Sequence, residues 1–152
     1  MNWWYGRFAA LSVDDIYDAL ALRSQVFVVE QNCVFLDADG ADRASGHLLG
    51  RDETGVLHGY LRIVDPGVKF AELSIGRVIT SEASRGTGLG HRLIDEGIHR
   101  CTVAWPGQPI RIGAQARLQS FYARHGFVRE GRDYMEDGIP HCEMLRKAAQ
   151  PA

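Results

Sequence analysis

RVITSEASRGTGLGHRLIDEGIHRC, residues 77–101, is the stretch that decides the fold of this chain of 152 residues. It opens with the β-branched run VIT at residues 78–80, which predicts a buried strand. A short polar turn then leads to the glycine-rich run RGTGLG at residues 85–90. Over residues 89–101, apolar side chains recur at helical spacing. We therefore predict a strand, a glycine turn and a helix that begins inside the glycines.

A glycine turn at the start of a helix is a binding site for anions. The first N–H groups of a helix have no partner within the helix, and the helix macrodipole places about half a positive charge there. Glycine has no Cβ, so a phosphate group can approach the backbone closely. Residues 85–90 are therefore predicted to bind phosphate, while a glycine turn that only caps an amphipathic helix is the structural alternative.

Spacing separates the phosphate-binding patterns that contain such a turn. A P-loop needs a lysine directly after its last glycine, and no lysine lies near this stretch. The dinucleotide fingerprint needs a third glycine where this chain has His91, and an acidic residue about 20 positions on, where it has Arg111. The remaining pattern, R/Q-x-x-G-x-G/A, is matched by Arg85, Gly88 and Gly90. A nicotinamide dehydrogenase is therefore disfavoured.

A second motif lies downstream, in QARLQSFYARHGF at residues 115–127. It places a Phe-Tyr pair on a short predicted helix, with Tyr122 five residues before Phe127. Such a pair is often only part of a core. Together with the glycine turn, however, the segment resembles the second conserved segment of the GNAT N-acetyltransferase superfamily. In that family, R/Q-x-x-G-x-G/A is the loop that binds the pyrophosphate of acyl-coenzyme A.

The resemblance extends over almost the whole chain and points to the small bacterial ElaA-type branch of the superfamily. The segments that carry it are residues 22–23 with 26–33, 75–78, 113–116 and 137–141. It implies one α/β domain over residues 1–152, built on a mixed sheet of six or seven strands with about four helices. Two neighbouring parallel strands, at residues 73–80 and 110–114, are expected to splay apart and admit coenzyme A between them.

The same resemblance implies the contacts of the cofactor. Acetyl-CoA is the expected co-substrate, and no metal is expected. The edge of the strand would bond the pantetheine amides through Val78, Ile79 and Thr80. The pyrophosphate would be held by the backbone N–H groups of Arg85, Gly86, Thr87, Gly88, Leu89 and Gly90. Gln115 occupies the position where the family usually has an asparagine, so it is expected to line the cofactor site with a longer amide.

The resemblance further implies direct transfer of an acetyl group from the thioester to an amine, without an acyl-enzyme. A backbone N–H near Val78 or Ile79 is the expected donor to the oxyanion. Tyr122, a phenol that is protonated at neutral pH, suits the role of proton donor to the leaving thiolate. This tyrosine favours an enzyme over the alternative, a non-catalytic domain that binds or senses acyl-CoA.

The group that deprotonates the amine stays open at this point. The candidates are a water relay and the side chains of Glu72, Glu30, His47, His58 and His141. In the architecture of the family, residues 30–33 and 138–141 would border the acceptor side. The expected acceptor-binding residues are therefore Glu30, Gln31, Cys33 and His141. Glu30 would hold the ammonium and His141 would help to deprotonate it, whereas Cys33 as a nucleophile would need a histidine and an asparagine that the sequence does not establish.

Composition argues against several other functions. Hydrophobic content of 45% and charged content of 24% are those of a soluble globular protein. A net charge of −2 gives no reason to expect nucleic acid or an anionic membrane as a partner. Three cysteines without a C-x-x-C pair disfavour a disulfide framework or a zinc site and favour the cytoplasm. The acids of residues 37–42 are not spaced as in an EF-hand, so calcium is disfavoured.

The remaining sequence predicts alternating short elements and leaves the oligomeric state open, a homodimer included. Neither a signal peptide nor a membrane-spanning run is expected. Strands are expected at residues 3–8, 47–52, 56–64, 72–80, 110–114 and 141–146, with another beginning at residue 127. Helices are expected from Ser12, from the glycine turn to about residue 103, and over residues 118–125. The first helix continues through Phe27, but VFVV at residues 26–29 equally suits a strand.

Overall fold

The structure is a computed structural model that describes residues 1–148. These residues contain seven strands and three α-helices. The strands are β1 (Asn2–Arg7), β2 (Ser45–Arg51), β3 (Leu57–Val64), β4 (Ser74–Thr80), β5 (Ile110–Gln115), β6 (Val128–Glu136) and β7 (Ile139–Arg146). The helices are α1 (Val13–Arg23), α2 (Leu89–Ala104) and α3 (Gln119–Ala123). A π-helical segment, Ser24–Glu30, follows α1 directly. The number of strands agrees with the prediction, and the expected four helices correspond to three α-helices and this segment.

The strands form two antiparallel sheets that meet at one parallel bridge. Their orders are β1-β2-β3-β4 and β5-β7-β6. The bridge joins Leu73 to Ile110, and beside it the N–H of Arg111 donates to the carbonyl oxygen of Leu73 at 2.9 Å. Apart from this bridge, within the described residues β4 pairs with β3 alone and β5 with β7 alone. The predicted parallel pair is therefore present and splayed.

Helix α1 begins where the sequence predicts. The Ser12 side chain accepts a hydrogen bond from the N–H of Asp15 at 3.0 Å, and the Asp15 carboxylate accepts one from the N–H of Ser12 at 3.2 Å. The chain after α1 is π-helical, so the alternative of a strand at residues 26–29 is wrong. Val26 and Phe27 pack there against a buried cluster, and this packing outweighs the β-propensity of the run.

Both faces of the first sheet are covered by helices, which explains why β2 and β3 are buried along almost their whole length. Successive residues of a strand point to opposite faces. Leu48 and Leu61 accordingly join the cluster beneath α2, whereas Leu49 and Tyr60 join the cluster beneath α1. The α2 cluster also contains residues of β5 and β7, so one core holds the two sheets together. None of the helices within residues 1–148 has the length and apolar character needed to cross a membrane.

Candidate active site

A β-bulge shapes the strand that borders the gap between the sheets. Two residues of β4, Arg77 and Val78, stand opposite the single residue Leu61 of β3. Arg77 has a φ of 50°, an uncommon conformation for a residue with a side chain. The extra residue reverses the alternation of the strand, so Ile75 packs beneath α2 and Ile79 beneath α1. It also leaves backbone groups at this point without a partner in the ladder.

The glycine turn lies at the open end of the gap between β4 and β5. Gly86 and Gly88 have φ angles of 80° and 81°, which favour glycine. Gly88 is the N-cap of α2, a helix of 16 residues with no acidic side chain in its first turn. Free N–H groups and the positive end of the macrodipole therefore converge there. This arrangement suits an anion, as the sequence predicts.

Arg85, the first residue of the glycine motif, is paired with Glu30 from the π-helical segment. Its guanidinium donates to Glu30 Oε1 at 2.6 Å and to the carbonyl oxygen of Thr80 at 3.3 Å. The Arg85 side chain is 44% exposed and that of Glu30 is 23% exposed. The sequence led us to expect Glu30 beside the amine, whereas the structure engages it with the phosphate-binding turn.

A cavity of about 480 Å³ extends along β4 from the glycine turn. It is termed here the cofactor arm, and its lining includes Phe27, Val78, Ile79, Thr80, Arg85 and Gln115. The three β4 residues predicted to bond pantetheine thus line the same cavity as Gln115. Because the free edge of β4 carries unpaired N–H and C=O groups, an extended amide chain can bind there as an added strand.

A second cavity, of about 80 Å³, shares Val78 and Gln115 with the cofactor arm and is also lined by Tyr122. The Tyr122 side chain is 7% exposed, and its ring packs edge-on against Phe121 and Phe127. Burial raises the pKa of the Tyr122 phenol, so the group stays protonated throughout the neutral range. A proton donor therefore borders the end of the cofactor arm.

A third cavity, of about 50 Å³, adjoins the second. It is termed here the acceptor arm, and its lining includes Phe27, Gln31, Cys33, Gln115, Glu136 and His141. The sequence predicts Gln31, Cys33 and His141 on the acceptor side, and the structure brings these three together. The Cys33 thiol donates to the carbonyl oxygen of Asp137 at 3.1 Å, which ties the chain after the π-helical segment to the β6–β7 turn.

Glu136 and Phe27 are among the residues that line these cavities without having been named as site residues from the sequence. Glu136 ends β6, and its Oε2 lies 3.4 Å from Nε2 of His141. Phe27 lines all three cavities. A signal for Glu136 was present, because it directly precedes the Asp-Gly turn that the resemblance places on the acceptor side. Phe27 gave no such signal, since it lies within an apolar run that also suits a core.

Glu72 is not brought to these cavities. Its Oε2 accepts a hydrogen bond from Nε of Arg111 at 2.9 Å, next to the bridge where the two sheets meet. This hydrogen bond lowers the pKa of the Glu72 carboxyl below its usual value. A carboxylate held in this way at the closed end of the gap is a poor proton acceptor for an amine at the open end.

Two candidate histidines are also engaged elsewhere. His47, 2% exposed, contacts the Tyr60 hydroxyl at 2.7 Å and the carbonyl oxygen of Asp42 at 2.9 Å. It lines a separate cavity of about 340 Å³ beneath α1, which shares no lining residue with the other three. His58 is likewise occupied at both ring nitrogens, by a hydroxyl and a carboxylate. Both imidazoles therefore have structural partners.

The acidic segment, residues 37–42, is bound by buried arginines. Arg23 and Arg62, each 1% exposed, both donate to Asp42 Oδ1, at 2.8 and 3.0 Å. Burial alone would raise the pKa of Asp42, but the hydrogen bonds and charges of Arg23 and Arg62 outweigh it and hold the pKa below its usual value. The acids serve as counter-ions, and residues 1–148 contain no cluster of side chains suited to a metal ion.

The same segment fixes the bulge residue. Arg77 donates to the carbonyl oxygen of Asp37 at 3.0 Å. Its Nε lies 2.9 Å from Asp37 Oδ1 as an ion pair, but these two atoms are not aligned for a hydrogen bond. The guanidinium also lies over the ring of Phe27, 5.7 Å from its centroid. The acidic segment thus positions two side chains that line the acceptor arm.

Comparison with known proteins agrees with this geometry. The sequence model described as an acetyltransferase (GNAT) domain matches residues 38–148, which contain six of the seven strands. The strand residues that line the cofactor arm, the Tyr122 cavity and the acceptor arm all lie within this range. The chain belongs to the GNAT acetyltransferase family. Membership of this family confirms the resemblance inferred from the glycine turn and the Phe-Tyr segment.

Similar GNAT proteins match the chain over nearly its full length. ElaA of Escherichia coli is 43% identical over 154 residues, which cover 99% of each chain. The crystal structure of ElaA superposes with a TM-score of 0.89, covering 96% of this chain and 99% of that one. An acyl-CoA N-acyltransferase from Pseudomonas aeruginosa superposes with a TM-score of 0.90 at 40% identity, covering 95% and 98%. The GNAT fold and these relatives support acyl transfer as the general class of activity.

Proposed function

We propose that this protein is an acetyl-CoA-dependent N-acetyltransferase that moves an acetyl group directly to a primary amine. The observation that carries the proposal is the continuity of the cleft. Phe27 and Gln115 line the cofactor arm, the Tyr122 cavity and the acceptor arm alike. A thioester bound along β4 and an amine bound in the acceptor arm would therefore meet at one point, as direct transfer requires.

Backbone groups would hold the cofactor. The N–H groups of residues 86–90 lie at the positive end of α2 and suit the pyrophosphate, whereas the N–H of Arg85 already donates to the carbonyl oxygen of Glu82 at 3.2 Å. The free edge of Val78, Ile79 and Thr80 suits the two amides of pantetheine. With the cofactor in this orientation, the thioester would lie towards the bulge and Tyr122.

The reaction then proceeds in three steps, and in each step a group of the protein donates or accepts a proton or a hydrogen bond. The neutral amine attacks the thioester carbonyl, a C–N bond forms, and an N–H at the bulge near Val78 or Ile79 would donate to the oxyanion. The C–S bond breaks, and Tyr122 would give its proton to the leaving thiolate. The phenolate recovers a proton from the nitrogen of the product, so a neutral amine and acetyl-CoA give the amide and coenzyme A with no net release of a proton.

Two measurements test the proposal. Calorimetry compares the binding of acetyl-CoA and NADH, and an assay of free thiol screens a panel of primary amines with acetyl-CoA. Binding of acetyl-CoA together with amine-dependent thiol release is the expected result. Binding without release by any amine would favour the alternative of a non-catalytic acyl-CoA-binding domain. Binding of NADH but not acetyl-CoA would refute the assigned cofactor.

A further inference from the structure

The β6–β7 hairpin presents a carboxylate and an imidazole to the acceptor arm. Its two-residue turn, residues 137–138, has φ angles of 51° and 76°, as a tight hairpin requires. Tyr134 pairs with His141 and Glu136 pairs with Ile139. Residues paired in this way, and residues two apart on one strand, share a face of the sheet. The side chains of Glu136 and His141 therefore emerge on the same face, at the end of the hairpin that borders the cleft.

The ring of His141 is fixed in one orientation and one tautomer. Its Nδ1 lies 2.7 Å from the carbonyl oxygen of Ile139, and a carbonyl only accepts, so Nδ1 carries a hydrogen. The ring stacks on Tyr134 with centroids 5.4 Å apart and planes 26° apart, and the residue is 8% exposed. In the neutral imidazole the free lone pair is therefore on Nε2. That lone pair is the group of His141 that can accept a proton.

The free nitrogen faces the carboxylate of Glu136. His141 Nε2 and Glu136 Oε2 are 3.4 Å apart, and both residues line the Tyr122 cavity and the acceptor arm. Two groups that only accept hydrogen bonds repel each other at this distance unless a proton or a cation lies between them. A primary ammonium has three N–H groups and can donate to both at once. An ammonium that lies beside these two atoms can therefore bridge them.

The charge of Glu136 is available for such a donor. The other ionisable groups that line the two inner cavities are Lys69, Arg77, Tyr122, Cys33 and Asp137. Arg77 is taken by the acidic segment, and the Cys33 thiol donates to a backbone carbonyl. Among residues 1–148, Glu136 makes no ion pair with an arginine or a lysine, and its one ionic contact is His141. An incoming ammonium can therefore balance the charge of Glu136. Asp137, the other carboxylate of these cavities, is exposed in the hairpin turn, and Lys69 forms no ion pair with Glu136.

We propose that Glu136 and His141 act together as the ammonium-binding and proton-accepting pair, a step that rests on the acetyl transfer proposed above. Glu136 holds the ammonium as its counter-ion. His141 Nε2 then takes one proton from the ammonium, which leaves a neutral amine and an imidazolium beside the Glu136 carboxylate. The amine nitrogen attacks the thioester carbonyl, and His141 returns its proton to solvent after the thiol leaves. Glu136 thereby selects a protonated amine, and His141 is the general base.

Kinetics with n-butylamine and acetyl-CoA test the two roles. His141→Asn keeps an amide that can donate to the Ile139 carbonyl but lacks Nε2, and we expect kcat to fall about 100-fold. Glu136→Gln keeps the shape of the side chain, and we expect KM for n-butylamine to rise about tenfold with a smaller change in kcat. Glu136→Asp retains the charge and should recover part of that loss. Values for both main variants within twofold of wild type would overturn the proposal.

Matched controls separate these roles from general damage. His99→Asn on the exposed face of α2 and Glu53→Gln in the exposed β2–β3 turn should match wild type. Calorimetry with acetyl-CoA should give the same affinity for wild type, His141→Asn and Glu136→Gln, which shows that the variants fold. A parallel loss of cofactor binding would mean that the hairpin has a structural role only.

Binding of an amine to Glu136 and His141 can also be measured without acetyl transfer, so this proposal can be tested separately from the transferase activity. The ring nitrogens of His141 are observed by NMR in the complex with coenzyme A while n-butylamine is added. A shift of the Nε2 resonance in wild type that is absent in Glu136→Gln is expected, and no shift in wild type would overturn the proposal. A shift without any thiol release in the assay would count against the proposed transferase and support the pair.

Discussion

The two arms of the cleft differ in the kind of group that they present to a ligand. The cofactor arm presents backbone, namely the free edge of β4 and the N–H groups of the glycine turn. The acceptor arm presents side chains from distant parts of the chain, including Phe27, Cys33, Glu136 and His141. Backbone recognition depends on conformation, which a few neighbouring residues determine. Side-chain recognition depends on which residues meet in the fold, so acceptor choice can change while the cofactor stays the same.

The largest expected effect tests how the acceptor arm is held in place. Asp42→Asn leaves Arg23 and Arg62 buried without a shared carboxylate, so we expect a loss of about 3 kcal/mol in the free energy of unfolding. Unfolding in urea measures it. Asp65→Asn is the matched control, because its partner Arg7 is 46% exposed and the loss there should be below about 1 kcal/mol. Equal losses would show that the buried charges do not support the arm.

Acid should weaken the same contacts. The pKa of Asp42 is lowered in the folded protein, so its contribution is complete above the unfolded carboxyl pKa of about 4 and is lost as the pH falls further. Wild type should therefore lose more stability than Asp42→Asn between about pH 5 and pH 3. Parallel curves of unfolding free energy against pH for the two proteins would contradict this assignment.

The next effect concerns the point where the arms meet. Tyr122→Phe keeps the packing of the ring but removes the proton donor, so we expect kcat to fall about 100-fold. The affinity for acetyl-CoA and KM for the amine should change little, because neither arm is altered. Tyr17→Phe, at a tyrosine that is 73% exposed, is the control. If kcat is unchanged and the solvent isotope effect is well above one, Tyr122 belongs to the core alone. If kcat is unchanged and the isotope effect is near one, the slow step lies outside the chemistry.

A smaller effect tests whether the cofactor arm acts through backbone. Gly88→Asp puts a carboxylate at the N-cap where the pyrophosphate is proposed to bind, and acetyl-CoA should bind at least tenfold more weakly, about 1.4 kcal/mol. Calorimetry measures it. Gly55→Asp makes the same change at a glycine with φ of 91° in an exposed turn, so it controls for backbone strain. Equal affinities of Gly88→Asp and Gly55→Asp for acetyl-CoA would show that the glycine turn does not bind the cofactor.

The smallest expected effect tests whether Glu30 belongs to the cofactor arm or to the acceptor arm. Glu30→Gln removes the partner of Arg85, so acetyl-CoA should bind about threefold more tightly at low salt, with the gain shrinking as salt is added. Glu96→Gln removes an equal charge further along α2 and should have little effect. A rise in KM for the amine with no change in cofactor affinity would return Glu30 to the acceptor side, where the sequence first placed it.

Local signals in the sequence predicted the parts of the molecule that local physics determines. The capping residue Ser12, the glycine turn and the β2–β3 hairpin each follow from a few adjacent residues. The conformation of residues 26–29 could not be predicted from adjacent residues, because it depends on packing against the sheet rather than on their own β-propensity. Glu72 and Glu136 show the same limit within the site. Only the fold reveals that an arginine neutralises the first and that a histidine faces the second.

The lone parallel bridge between Leu73 and Ile110 has a consequence for how the chain folds. Each sheet is made from one contiguous part of the chain, residues 2–80 and residues 110–146, so each can begin to form without the other. Few backbone hydrogen bonds join the two sheets, so the contact between them depends on side-chain packing in the shared core beneath α2. Catalysis is thus proposed to take place where packed side chains, rather than a continuous backbone ladder, hold the two sheets together. A bound acyl-CoA molecule that spans the two sheets should raise the unfolding temperature, and the rise should keep growing with the logarithm of the free acyl-CoA concentration above its Kd.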